Sequence, residues 1–223
     1  MRYGPHPEQH VEILAHAGSP RAVVVVFHGG FWRARYEADL MDALCRDLAA
    51  RDYEAWNVEY RRLGAAGGWP ATFEDAARVV ERARERGLPL VTLGHSAGGH
   101  LALWAGASGA TLAVSQAGVA DLAEAWRLGL SRNAAGELLG GSPDEVPERY
   151  AQASPAERLP LGVPQLLVHG RRDDTVPAEM SRAYAERARE AGDAVELVET
   201  DEGHFECLDP ASESWAAIVE RLP

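Results

Sequence analysis

Between positions 22 and 27 the chain reads Ala-Val-Val-Val-Val-Phe, an apolar run with no polar interruption. A strand with one wet face alternates apolar and polar side chains, because successive residues point to opposite sides. An unbroken run has to be covered on both faces, which a parallel sheet with helices above and below provides. The rest of the chain supplies such helices. Strand-like runs at 10–15, 53–60, 88–93, 110–116, 164–168 and 194–199 alternate with helical stretches at 37–51, 72–86, 97–107, 178–191 and from about 210. In the first of these helices Leu40, Leu44 and Leu48 recur at helical spacing. Thr72 reads as the N-cap of the second and Gly87 as its closing glycine. The rhythm predicts an α/β fold, a mostly parallel central sheet flanked by helices. Residues 119–160 interrupt it with helical fragments and four prolines, and read as a short cap insertion within one domain spanning 1–223.

Composition narrows the partners. The formal net charge is -12, spread along the chain, and this field repels nucleic acid and anionic lipid. Every one of the 22 basic residues is arginine, a coding bias rather than a clustered binding surface. Two cysteines, Cys45 and Cys207, fall on segments assigned to different helices, and so few favour a reducing, cytoplasmic setting. The N-terminus lacks the basic-then-apolar pattern of a signal peptide, and the longest strongly apolar run is too short to span a bilayer. No internal repeat is visible, and no glycine-rich phosphate or dinucleotide motif, so no cofactor is expected. His6 and His10 share metal-like spacing, but Pro7 disfavours a continuous helix between them and no metal is expected.

Chemistry concentrates where predicted strands end. Gly94-His95-Ser96-Ala97-Gly98 follows an apolar strand and opens an Ala/Leu-rich helix, as a nucleophile elbow requires: small residues let a strained turn thrust the serine hydroxyl outward. A serine needs an oriented base, and His204, in the loop after the last strand, follows the serine and a carboxylate in chain order. His169 ends an earlier strand and reads as a hydrogen-bonding support for its own loop. The carboxylate choice lies among Asp173, Asp174 and Asp121, with Asp173 favoured because it directly follows a buried strand in His169-Gly-Arg-Arg-Asp173-Asp174-Thr-Val-Pro177. His28-Gly29-Gly30-Phe31-Trp32 follows the apolar run, and the amides of Gly30, Phe31 and Ala97 are the expected oxyanion donors. Trp32, Trp69 and Trp126 are offered as walls of an aromatic pocket, against the alternative of plain packing. Arg33 and Arg35 read either as substrate contacts or as solvated arginines.

The set HGGFW, GHSAGGH, D-x-x-V-P and a late GHF resembles the esterase and kynurenine formamidase branch of the α/β-hydrolases, marked by HGGxW where lipase-like relatives carry HGGG. Tyr3-Gly4, Gln9, Leu139-Gly-Gly-Ser-Pro143 and Ala153-Ser-Pro155 extend the resemblance over nearly the whole chain. It implies an α/β-hydrolase fold and hydrolysis of a small acyl ester or amide through Ser96, His204 and Asp173. The alternatives are an arylformamidase acting on N-formylkynurenine, then a peptidase or a non-catalytic binding protein on the same fold.

Overall fold

In the computed structural model, which describes residues 1–15 and 18–223, the apolar run becomes strand β2 (Val23–Phe27), with every residue buried. Its side chains divide by parity as the pleat requires. Val23, Val25 and Phe27 join the core on one face, whereas Ala22, Val24 and Val26 join the core on the other. Around it lie β1 (His10–Leu14), β3 (Glu54–Glu59), β4 (Leu90–His95), β5 (Leu112–Gln116), β6 (Gln165–Gly170) and β7 (Val195–Thr200), in the order β1-β3-β2-β4-β5-β6-β7. Only β1 pairs antiparallel, with β3; the other neighbours run parallel. The sheet is thus mostly parallel, as the unbroken run predicts, and fits the α/β-hydrolase arrangement that the motif resemblance implies.

Helices α2 (Ala71–Arg84) and α3 (Ala97–Gly106) cover one face. On the other face Leu44, Cys45 and Leu48 of α1 (Asp42–Ala50) meet Trp215 and Ile218 of α8 (Glu213–Val219). The Trp215 indole N–H donates to the Asp47 carboxylate at 2.7 Å and ties these helices together. Helix α7 (Ala178–Glu190) packs beside β6 and β7. Between β5 and β6 lie α4 (Leu122–Arg127), α5 (Ala134–Leu139), α6 (Pro147–Ala153) and a 3-10 turn at Pro155–Glu157, in place of a single crossover helix. Among the described residues, no helix is long and apolar enough to cross a membrane.

Several boundaries differ from the sequence reading. The helix expected over 37–51 splits into a 3-10 turn at Ala38–Met41 and α1. Asn57 and Glu59 of β3 bond the Ala38 carbonyl and amide, at 2.9 and 3.1 Å, and draw that first turn toward the strand. Thr72 is not the cap of α2, which begins at Ala71 after Pro70. Its hydroxyl instead bridges the Gly68 amide at 3.0 Å and the Arg61 carbonyl at 2.6 Å, fastening the preceding loop. Gly87 does follow the helix with φ +67°. Strand β4 lies two residues later than expected, because Gly94 and His95 still pair with Ser115 and Gln116 of β5.

Leu48 is wholly buried between α1, α8 and the sheet. Leu48→Ala should lower the unfolding free energy by about 3 kcal/mol, through lost transfer energy and the cavity left behind. Urea titration of both proteins measures this; a change below about 1 kcal/mol would mean that this face is not close-packed.

Candidate active site

The loops following β2, β4, β6 and β7 leave the same end of neighbouring parallel strands, so residues distant in sequence converge there. Ser96 joins β4 to α3 with φ 55° and ψ -117°, a conformation that L-residues rarely adopt. The surrounding glycines make this turn possible by close approach. A Cβ on Gly94 would lie 2.1 Å from the Gly98 carbonyl oxygen, and one on Gly98 would lie 2.0 Å from that of Phe27. The Ser96 hydroxyl is buried and has no hydrogen-bond partner among the described residues.

Asp173 sits in the turn after β6 with its side chain fully buried. One carboxylate oxygen accepts the amides of Thr175 and Val176, both at 2.8 Å, which fixes its rotamer. The other accepts from His204 Nδ1 at 2.6 Å and from His169 Nε2 at 3.1 Å. Burial pushes the Asp173 carboxyl upward, but the hydrogen bonds from His169 and His204 outweigh it and hold the group well below the usual carboxylate range. A carboxylate only accepts, so His204 Nδ1 carries the proton and Nε2 is left with its lone pair. Of the three candidate acids, Asp173 is the one in contact with His204. Asp174 is exposed. Asp121 caps α4 through the amides of Ala123 and Glu124 and pairs with Arg187 at 3.0 Å.

The His204 loop is anchored on both sides. Glu202 is nearly buried and accepts from the amides of Glu213 and Ser214 and the hydroxyls of Thr200 and Ser214, which pins the loop to α8. A Cβ on Gly170 would lie 2.2 Å from the Glu202 carbonyl oxygen, so the end of β6 approaches this loop only as glycine. On the far side the Cys207 thiol donates to the His204 carbonyl at 3.2 Å. Cys207 lies in a 3-10 turn, Glu206–Leu208, rather than a longer helix, and burial pushes its thiol up to about 12.

The loop after β2 passes close to the serine. A Cβ on Gly29 would lie 3.2 Å from that of Ser96. Gly30, Phe31 and Trp32 follow with φ of 103°, 48° and 57°, a left-handed run that only glycine adopts without strain. Ala97 opens α3, where first-turn amides have no intrahelical acceptor. His28 braces the loop: its Nε2 meets Glu59 at 3.0 Å and its ring stacks on Tyr60 at 4.4 Å.

Trp32 does not line a pocket. Its side chain is wholly buried and edge-on to His100 at 5.3 Å, so it belongs to the core. Trp69, edge-on to Phe73, and Trp126 in α4 are both half-buried against the same core. Arg33 is committed rather than solvated: it grips Glu137 of α5 at 2.6 and 3.1 Å and the Ser131 carbonyl at 2.8 Å, fastening the β2 loop to the inserted segment. Arg35 lies over the Tyr36 ring. Sequence alone indicated neither the contact of His95 with the His204 loop, nor Glu202, nor that His169 shares the Asp173 carboxylate. The one available signal was that His28, His95 and His169 all stand at strand ends beside glycines.

The family model BD-FAE matches residues 12–187, a span that includes Ser96 and Asp173 and ends before His204. Esterase LipC of Mycobacterium tuberculosis is 26% identical over 218 residues, covering 84% of this chain and 54% of that protein. The chain thus spans about half the length of that relative. Among solved structures, a truncated carbohydrate esterase from gut microbiota matches with TM-score 0.83 at 17% identity, over 99% of this chain and 92% of that one. A butyrate-bound esterase, Est2 of Thermogutta terrifontis, matches with TM-score 0.73 at 24% identity, over 94% and 84%. Esterase B of Lactobacillus rhamnosis, inhibited by a C4-C4 tributyrin phosphonate, matches with TM-score 0.77 at 19% identity, over 97% and 80%. These likenesses establish the fold.

Two histidines beside the site should govern its acid stability. Burial lowers His95 from 6.5 to about 3 and His100 from 6.5 to about 4. Both stay neutral in the folded chain while the unfolded chain takes up protons below about 6.5, so their effect is to remove stability as pH falls. The loss begins near the unfolded value and ends only below the folded one. Each contributes a slope of up to about 1.4 kcal/mol per pH unit. Replacing one of them, as in His100→Gln, should flatten the stability curve between about pH 6 and about 4.5 by close to that slope relative to the native chain. Urea titrations across this range measure the difference; parallel curves would refute it.

Proposed function

The chain belongs to the BD-FAE family, and we propose that it is a serine hydrolase cleaving small acyl esters through an acyl-enzyme on Ser96. The observation that carries this reading is the 2.6 Å contact between His204 Nδ1 and a fully buried Asp173, at the strand ends where Ser96 stands strained with its hydroxyl unpartnered. His204 Nε2 takes the serine proton as Oγ attacks the ester carbonyl, and Asp173 stabilises the imidazolium that forms. The amides of Gly30, Phe31 and Ala97 receive the negative oxygen of the tetrahedral intermediate, with the N-terminus of α3 adding its dipole. His204 returns the proton to the departing alkoxide as the C–O bond breaks. Water then attacks the acyl-enzyme, giving its proton to His204 and releasing the carboxylic acid while Ser96 is reprotonated.

We read residues 119–160 as a short cap within a single domain. Its helices span six or seven residues each, enough to shield a compact acyl group but not to wall a long tunnel. The butyrate complex of Est2 and the C4 phosphonate on esterase B support short acyl chains here as well. Trp126, half-buried in this segment, is the side chain we assign to stacking a leaving group. The formamidase alternative rests on the HGGxW resemblance alone and ranks second.

A fluorophosphonate probe should label the native chain, and Ser96→Ala should abolish labelling and turnover while remaining folded by circular dichroism. Across acetyl, butyryl, octanoyl and palmitoyl esters and N-formylkynurenine, kcat/KM should peak at acetyl or butyryl. A peak at octanoyl or beyond overturns the compact acyl site, and a formamide value above the best ester reverses the ranking. Asp173→Asn should lower kcat by about 10⁴-fold, by presenting the wrong imidazole tautomer. Asp121→Asn should cost far less, since Asp121 is engaged by α4 and Arg187. Equal losses in the two variants would refute the assignment of the acid.

A further inference from the structure

Three loops of the site meet on one side chain that the mechanism does not use. His95 immediately precedes Ser96, is almost wholly buried, and directs its Nε2 to the backbone carbonyl of His204 at 2.8 Å. A carbonyl only accepts, so Nε2 must carry the proton. The other ring nitrogen has no partner among the described residues and faces the β2 loop, where a Cβ on Gly29 would lie 2.8 Å from it. The two imidazole rings lie 4.6 Å apart, tilted by 50°. One ring thus touches the oxyanion loop, the base loop and, through the chain, the serine.

Its neighbours show the same design. Gln116 is the register partner of His95 on β5 and donates its side-chain amide to the Cys207 carbonyl at 3.1 Å. Cys207 in turn donates to the same His204 carbonyl that His95 holds. The ends of β4 and β5 therefore present two side-chain donors to the backbone of one short loop, at positions 204 and 207. His204 is held by its side chain through Asp173 and by its backbone through His95. Fixing both ends of the residue leaves the imidazole little freedom to tilt.

We propose that His95 is a positioning residue for the reaction: its Nε2–H bond to the His204 carbonyl sets the imidazole at the height and tilt needed to reach Ser96. This rests on the reading of Ser96, His204 and Asp173 as the catalytic set. The role demands a neutral ring with one fixed tautomer. Burial supplies it, since His95 stays neutral far below physiological pH.

The test compares donors of different reach. In His95→Gln the side-chain amide can occupy the place of Nε2, whereas the shorter side chain of His95→Asn cannot, and His95→Phe keeps a ring without a donor. His95→Phe and His95→Asn should each lower kcat and the rate of fluorophosphonate labelling by about 100-fold, the scale of a misplacement of roughly 1 Å, with KM within about twofold. His95→Gln should recover to within about fivefold of the native kcat. The low-field proton resonance of the His204–Asp173 hydrogen bond should shift in the Phe and Asn variants and return in the Gln variant. A folded Asn variant within about threefold of native kcat overturns the proposal, as does a Gln variant no better than Asn. If His95→Phe does not fold, the Gln and Asn pair alone decides. Turnover surviving in Ser96→Ala would instead defeat the underlying hydrolase reading, and the resonance shift reports on His95 independently of that outcome.

Discussion

Everything at the candidate site depends on how closely β4 and α3 can approach β2. The elbow at Ser96 exists because nothing larger than hydrogen occupies the α-carbons of residues 94 and 98: a methyl group at 98 would overlap the Phe27 carbonyl oxygen at 2.0 Å. With that approach achieved, the chain must turn sharply, and Ser96 absorbs the turn with φ 55°. The strain is sustained by packing on both faces of the sheet, where β2 is wholly buried. The core is therefore not a passive support. It holds a backbone conformation that a looser fold would relax.

Beside this elbow two buried carboxylates are densely hydrogen-bonded. The four hydrogen bonds to Asp173 use both carboxylate oxygens, and Glu202 does the same for the loop that carries His204. Among the described residues, the buried atoms near the elbow without a partner are the Ser96 hydroxyl, one nitrogen each of His95 and His100, the Trp32 indole nitrogen and the Gln116 side-chain oxygen. Buried polar atoms without partners cost stability, so such atoms at a strand end mark places where function competes with folding. Arg33 and Glu137 add a link of another kind, joining the loop beside the serine to the segment above it across 104 residues of sequence.

The sheet was legible in the sequence because an unbroken apolar run has one common solution, and the elbow because its glycines, serine, strand and helix occur together. The choice among Asp121, Asp173 and Asp174 was not. Contact with His204 is decided by the amides of Thr175 and Val176, which orient Asp173, and by Arg187, which engages Asp121. Nor could sequence distinguish a tryptophan lining a pocket from one filling the core: Trp32 stands in a loop by sequence and in the core by structure. Thr72 had the chemistry of a cap, but tertiary partners claimed its hydroxyl. His95 was out of reach for a simpler reason, since the carbonyl that it holds lies 109 residues away.

The glycines and the reactive side chains answer to different requirements, and this bears on how such chains can diverge. Gly94, Gly98 and Gly170 are required by space, because added atoms would collide with backbone oxygens that cannot move aside. Ser96 carries no side-chain hydrogen bond that holds the fold together. A descendant could exchange its hydroxyl for hydrogen and keep the elbow, whereas one with alanine at 98 would lose the elbow itself. Glycine spacing in this part of the chain therefore answers to architecture, whereas on the proposed reading the side chains at 96, 173 and 204 are what would distinguish a working descendant from a silent one.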